Sequence, residues 1–327
     1  MERVVKTYEF ALFIALIGFS MVIGFVKPAF FSISTIFNIL DNSVTYTIMG
    51  FGVLIVLLSG EIDISFVAIA ALSSYATNML LLSWGYTGGI SFYLIIGAIF
   101  GALLGLAEGL IVTKFNIPTF FVSLGYQILL YGFTLFFLGS TYNFNLPPGL
   151  TNYYSEFLIR VKNPFGAETS LNVPVLYLLI IAIAMWLLLR YTLFGRGLYA
   201  IGGDREAAKR VGFPVKRIIL LALIINGILA SIAGNIQNAS NGYFDPTLFR
   251  GNDLNVIAYV IIGGASILGG RGSVIGVVLG VIFIQVLDLG VIYMGISADW
   301  QQLFIGLALV IALSASTLPS ILRRIQE

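Results

Sequence analysis

The 327-residue chain contains no cysteine and no histidine. Their absence removes disulfides, thiol nucleophiles, imidazole bases and the usual zinc ligands, and with them much of enzymology. Charge is scarce too. Only 10% of residues are Asp, Glu, Lys or Arg, where soluble domains carry roughly 25%. The net charge of +2 is too small to suggest a nucleic-acid partner. No G-x-x-x-x-G-K-[ST] phosphate loop occurs in the sequence, so the chain lacks the usual means of binding ATP. Any pump built on it draws energy from a partner or from an ion gradient.

Apolar residues, by contrast, make up 59% of the chain and gather in runs of about 20, long enough to cross a bilayer. Ten spans are expected, at 10–26, 36–58, 64–83, 90–113, 119–138, 173–189, 217–237, 254–268, 273–293 and 301–318. The chain reads as an all-α polytopic membrane protein, a single transmembrane domain over 1–327. The first run leads into Phe25-Val26-Lys27-Pro28 without an A-x-A-like cleavage site, so it is expected to be a retained helix. With the N-terminus inside, 13 basic residues face the cytosol and four (27, 160, 162 and 250) lie outside. The positive-inside rule favours that orientation, with both termini cytosolic.

The polar segment 190–217 stands out against this background. It carries seven of the 17 Lys and Arg residues, against Asp204 and Glu206. Asp204 is placed to cap a short helix over 205–211, Glu206 and Arg210 lie at i,i+4 on one face, and Gly212 then Pro214 stop it. A cytosolic helix tied at both ends to membrane helices suits the transfer of force across a membrane boundary. The longest external loop, 139–172, holds Tyr142, Phe144, Pro147, Pro148, Tyr153, Tyr154, Arg160 and Lys162. It reads either as a lid at headgroup level or as a docking surface. Arg160, Lys162 and Arg250 are the candidate docking cations.

Glycines recur every four residues at 97, 101, 105 and 109, and again at 272, 276 and 280. On a helix this spacing makes a small-residue face that lets backbones approach closely in lipid. The two halves of the chain also echo one another. Asp63 recurs 190 positions later as Asp253, and Gly97 and Gly101 recur 179 positions later as Gly276 and Gly280. With five spans per half, such repeats lie in opposite orientations, a standard transporter plan.

Glu108 and Asp288 are the carboxylates placed deep enough to couple an ion. Neutral polar residues are more plentiful. Gln127, Asn226, Asn235 and Asn238 are candidates for lining a translocation pathway, and amides without fixed charge suit a neutral, hydroxyl-rich solute such as a sugar. Interhelical hydrogen bonding is the alternative for each.

Four stretches carry a family resemblance over about 35–318. Ser59-Gly60-Glu61-Ile62-Asp63-Ile64-Ser65 resembles a G-G-I-D-L-S motif, and Asn116-Ile117-Pro118-Thr119-Phe120 resembles N-I-P-T-F. Phe194 to Gly212 resembles an F-G-R…A-I-G-G-N…A-A…S-G-I loop, in which Glu206-Ala207-Ala208 and Gly212 match E-A-A-x-x-x-G. Leu254 to Gly276 resembles a glycine-rich L-x-x-I-A…G-G…G-G-x-G pattern. The sequence thus resembles the permease subunits of monosaccharide-type ABC importers, the ribose/galactose/xylose branch. Its departures are Glu61 for glycine, Phe66 for valine and Asp204 for asparagine. The resemblance implies a type II ABC importer-like fold of two inverted five-helix repeats in a prokaryotic cytoplasmic membrane. It implies a second permease copy or a paralogue, and an extracytoplasmic sugar-binding protein outside. An ABC ATPase subunit would dock through Asp204, Glu206, Ala207, Ala208, Arg210 and Gly212. That partner would consume the ATP, leaving this chain without a cofactor, a metal or a catalytic residue. A pentose or hexose is the implied cargo, with a nucleoside or a furanosyl signalling molecule as alternatives. An ion-coupled secondary transporter is the competing class.

Overall fold

The protein is described by a computed structural model that covers residues 2–150, 153, 157–162, 168–297, 300, 303, 306, 307 and 310. Helices dominate, as the apolar runs require: with no water to satisfy backbone groups in lipid, a helix closes its own hydrogen bonds. They are α1 (Glu2–Val26), α2 (Ile33–Leu58), α3 (Phe66–Ser83), α4 (Ile90–Phe115), α5 (Thr119–Phe133), α6 (Pro174–Tyr191), α7 (Leu193–Gly203), α8 (Arg205–Arg210), α9 (Val215–Asn241), α10 (Asp253–Ile262) and α11 (Val274–Tyr293). Eight helical stretches are long and apolar enough to cross a membrane, α5 continuing through a wider turn to Leu138. The chain is a polytopic, mostly helical membrane protein. The span expected at 301–318 lies largely outside the described residues.

One expectation needs correction. The span expected at 254–268 is a ten-residue helix, about 15 Å long and half of what a bilayer needs. It stops at Gly263, and the chain then turns through Gly264, Gly269 and Gly270, all at positive φ. The 139–172 loop, read from the sequence as a lid or a docking surface, contains a short β element. Strands β1 (Phe157–Lys162) and β2 (Glu168–Asn172) form an antiparallel hairpin, the one departure from an all-α fold among the described residues.

At the centre α2 packs on α9. Around that pair the contacts are reciprocal: α4 runs along α9, and α11 along α2. This is the arrangement expected of two related halves. The glycine stripes do not follow it. Gly101 and Gly105 of α4 lie against the backbone of α9 at Gly227 and Leu223, whereas Gly276 and Gly280 of α11 lie against Gly263 and Tyr259 at the end of α10.

The connections segregate to two ends of the bundle. At one end the α2–α3 loop meets α7, α8, the start of α5 and the 263–273 turn, through Gly202, Arg205, Thr119 and Gly270. At the other, Asn143 and Phe244 exchange backbone hydrogen bonds at 2.9 Å, and Asp41 accepts from Asn172 of the hairpin.

Candidate functional site

Three loops and a helix pair meet at the α8 end. The α2–α3 loop begins with Gly60 at φ 77°, a left-handed conformation that favours glycine. Its neighbours are glycines for a second reason. A Cβ on Gly202 of α7 would meet the Leu58 carbonyl and the Gly270 amide, and one on Gly269 would meet the Gly60 backbone. The Gly270 amide in turn donates to the Leu58 carbonyl at 3.0 Å. Three sequence motifs far apart in the chain are thus stacked backbone on backbone.

The fourth motif joins through a side chain. Glu61 Oε2 accepts from the Thr119 hydroxyl at 2.8 Å and from the Thr119 amide at 3.3 Å, and Glu61 Oε1 accepts from Arg205 Nη1 at 3.0 Å. Pro118, which precedes α5, has no side-chain donor or acceptor with which to cap the helix. Glu61 therefore serves the first turn of α5 from another loop, with its negative charge at the positive end of the helix.

The polar segment folds as two helices, not one. Thr192 caps α7 by accepting from the Gly195 amide at 3.1 Å, and Asp204 caps α8 by accepting from the Ala207 amide at 2.9 Å. Helix α8 ends at Arg210 with Val211 as its C-cap, one residue earlier than the sequence reading. Gly212 turns the chain at φ 97°. Ala208 is buried, while Arg205, Glu206, Lys209, Arg210 and Val211 are exposed. The expected Glu206–Arg210 pair does not form among the described residues; Arg205 pairs with Glu61 instead. Tyr199 of α7 donates to the Gly272 carbonyl at 2.9 Å. Burial, with the Glu9 carboxylate as a smaller cause, pushes its hydroxyl up to about 12. Ser273, which caps α11, also donates to Glu9 of α1.

Deeper in the bundle, Asn226, Asn235 and Asn238 are fully buried. All three lie where helices pack, and the Oδ1 atoms of Asn226 and Asn235 have no hydrogen-bond partner among the described residues. Asn226 Nδ2 donates to Asp63 Oδ2 at 2.7 Å, Asn238 Nδ2 donates to Ser74 Oγ at 2.9 Å, and Asn235 donates to Ser231 where α9 meets Gly97. Gln127 is half-buried on α5. Glu108 is fully buried and accepts from the Ser65 hydroxyl at 2.7 Å, while the Ser65 amide donates to Asp63 Oδ1 at 2.6 Å. Asp63, Ser65, Glu108 and Asn226 therefore tie the α2–α3 loop to α4 and α9. No cluster of acidic residues suited to a metal ion occurs among the described residues.

At the opposite end the three candidate cations do not form one patch of like character. Arg160 lies over the Phe157 ring at 4.3 Å, Lys162 pairs with Glu168 across the hairpin at 3.3 Å, and Arg250 lies over the Tyr131 ring at 5.8 Å. Tyr142, Phe144 and Tyr243 form an aromatic cluster beside the Asn143–Phe244 bridge, with centroids 5.4–6.5 Å apart.

Sequence reasoning missed the role of Glu61, Thr119 and Arg205. The available signal was an acid standing where the resembled motif has glycine, beside a loop rich in cations.

The chain is similar to several curated proteins over most of its length. It is 30% identical to the ribose import permease protein RbsC of Escherichia coli strain K12, over 91% of this chain and 90% of that protein. It is 32% identical to the fructose import permease protein FrcC of Rhizobium meliloti, over 93% and 82%. It is 31% identical to the autoinducer 2 import system permease protein LsrC of Klebsiella pneumoniae, over 95% and 86%. No solved structure matches the chain. A family model described as the permease component of a branched-chain amino acid transport system matches residues 35–313. That span includes the α2–α3 loop, α8 and the glycine turn after α10, and the chain belongs to this permease family.

Proposed function

We propose that the chain is the membrane-spanning subunit of an ATP-driven importer for a small neutral sugar, a pentose or a hexose. The observation that carries the cargo class is the similarity, over most of the chain, to ribose, fructose and autoinducer 2 import permeases. A nucleoside or a furanosyl signalling molecule forms the alternative.

In this reading the α8 end faces the cytosol. Its connections carry basic residues 114, 190, 196, 205, 209, 210, 216, 217 and 271, against 27, 160, 162 and 250 at the other end, as the positive-inside rule prefers. Both termini are then cytosolic. An ABC ATPase subunit docks on α8 through Asp204, Glu206, Ala207, Ala208, Arg210 and Gly212, and hydrolyses the ATP. Exposed Leu193, Val211 and Leu268 add apolar area for that contact. An extracytoplasmic sugar-binding protein approaches the hairpin end near Arg160, Lys162 and Arg250. A second permease copy or a paralogue completes the complex. Gln127, Asn226, Asn235 and Asn238 are the pathway candidates of this reading, with Gln127 of α5 the half-exposed one.

The test is reconstitution with the ATPase and binding protein encoded beside this chain. ATP-dependent ribose uptake is the expected result. Gly212→Val should retain ATPase binding but lose most uptake, because a β-branched residue at φ 97° is strained by about 1–2 kcal/mol. Uptake driven by an ion gradient without ATP would replace this reading with the secondary-transporter one.

A further inference from the structure

We propose that Glu61 is a transmission residue: its one carboxylate holds α8 and α5 together, so that displacement of α8 by a docked partner is passed directly to α5. The proposal rests on the reading of α8 as the coupling helix and names a residue outside the set assigned to docking.

The geometry carries it in three steps. First, the loop bearing Glu61 is immobilised from behind. Gly60 sits against Gly269 and the Leu268 carbonyl, and the Gly270 amide donates to the Leu58 carbonyl. Its side chain is therefore aimed and not free. Second, the two carboxylate oxygens go to different helices. Oε1 takes the Arg205 guanidinium at the first residue of α8, and Oε2 takes both donors of Thr119 at the first residue of α5. Third, the carboxylate has little alternative in solvent. The Glu61 side chain is 12% exposed, against 56% for Arg205. Arg205 lies on the face open to a partner, and Glu61 lies behind it.

Among the described residues, no other side chain hydrogen-bonds to both of these helices. Ala208 is the buried residue of α8 and packs as a small apolar group. Glu206 and Arg210 form no ion pair with another element among the described residues. A half-exposed ion pair is a weak contact, which lets it re-form as helices shift. It has direction nonetheless, because the Arg205 fork and the Thr119 donors meet opposite sides of one planar group.

The test uses the complete complex and two readouts. The first is the coupling ratio, ribose molecules taken up per ATP hydrolysed in proteoliposomes. Glu61→Gln and Arg205→Gln should each lower it about two- to fivefold, with the ATPase still co-purifying. The reversed pair, Glu61→Arg with Arg205→Glu, restores the ion pair but offers Thr119 no acceptor, so it should not recover the coupling ratio. The second readout is the melting temperature of the permease chain alone in detergent. A double-mutant cycle there should give a non-zero Glu61–Arg205 interaction whether or not α8 is the docking helix. An unchanged coupling ratio in Glu61→Gln overturns the proposal. So does loss of ATPase binding in that variant, which would make Glu61 a docking residue. A reduced ratio in Glu61→Gln with an unchanged ratio in Arg205→Gln also overturns it, leaving Glu61 as a cap on α5 alone. Absence of ATP-dependent uptake in the unaltered complex would instead sink the importer reading, while the thermal cycle would still report the ion pair.

Discussion

Along the α4–α9 seam the helices meet backbone to backbone, whereas at the α8 end the elements also meet through charged and hydroxyl side chains. On α4, Gly101 and Gly105 lie against α9 backbone, Gly97 admits the Asn235 and Ser231 side chains and Gly109 that of Leu220, and Gly101 and Gly227 each present a carbonyl where the other would carry a Cβ. Such a seam has one separation and one register, and it behaves as a rigid unit. At α8 the joint depends on one carboxylate, two hydroxyl or amide donors and one guanidinium. Those contacts are individually weak and can be remade. The difference suits a bundle whose core holds shape while the connections at its α8 end can shift.

The sharpest way to break this comparison is at the seam. Gly101→Leu places a branched side chain where α9 backbone now lies, and overpacking costs about 1–3 kcal/mol or more when neither backbone can yield. The expected outcome is loss of folded, monodisperse protein on size-exclusion chromatography in detergent. Normal assembly would mean the seam has slack and is not the rigid half of the pair.

A smaller effect is expected where polar contacts cross the core. Asn226→Leu removes the donor to Asp63 Oδ2 and strands a buried acceptor, at about 1–3 kcal/mol. The protein should fold but melt at a lower temperature. A melting point equal to that of the unaltered chain would place the Asp63–Ser65–Glu108 group among dispensable contacts, and would narrow the contrast with the seam.

Smallest of all are changes on the hairpin end. The Lys162–Glu168 pair has side chains 75% and 54% exposed, so Lys162→Ala should change stability by less than about 1 kcal/mol. Arg160→Glu with Arg250→Glu should leave folding and basal ATP hydrolysis intact. That double variant should raise the binding-protein concentration needed for half-maximal uptake, with a larger effect at low salt than at moderate salt. An unchanged curve would move docking to the Tyr142–Phe144–Tyr243 aromatics.

Much of the architecture was legible because lipid imposes simple rules. Long apolar runs become helices, and the positions of eight of the expected spans needed only small changes at their ends. The span at 254–268 was the exception, for a physical reason. Residues 254–268 are as apolar as a span, but hydropathy does not register that four glycines beyond Ile262 take positive φ and turn the chain. The hairpin was hidden by short strands of mixed character, FLIRVK and ETSLN, without a two-residue turn signal between them. In the site, the caps at Asp204 and Gly212 followed from local spacing, because capping is decided within a few residues. The Glu61 contacts did not, because they join positions 58 and 144 apart in the chain.

Composition and periodicity by themselves determined that this protein lies in a membrane, that its sequence carries no cysteine and no G-x-x-x-x-G-K-[ST] loop, and that a polar segment with its own capping signals interrupts the apolar runs. These are one-dimensional properties, set by transfer free energy and by hydrogen bonds between near neighbours. Only the tertiary structure decided which glycine stripe meets which helix, that the asparagines of α9 lie where helices pack, and that an unexpected glutamate ties α8 to α5. Those outcomes depend on the three-dimensional register of the helices, and close approach in that register is what lets a single carboxylate reach two distant segments at once.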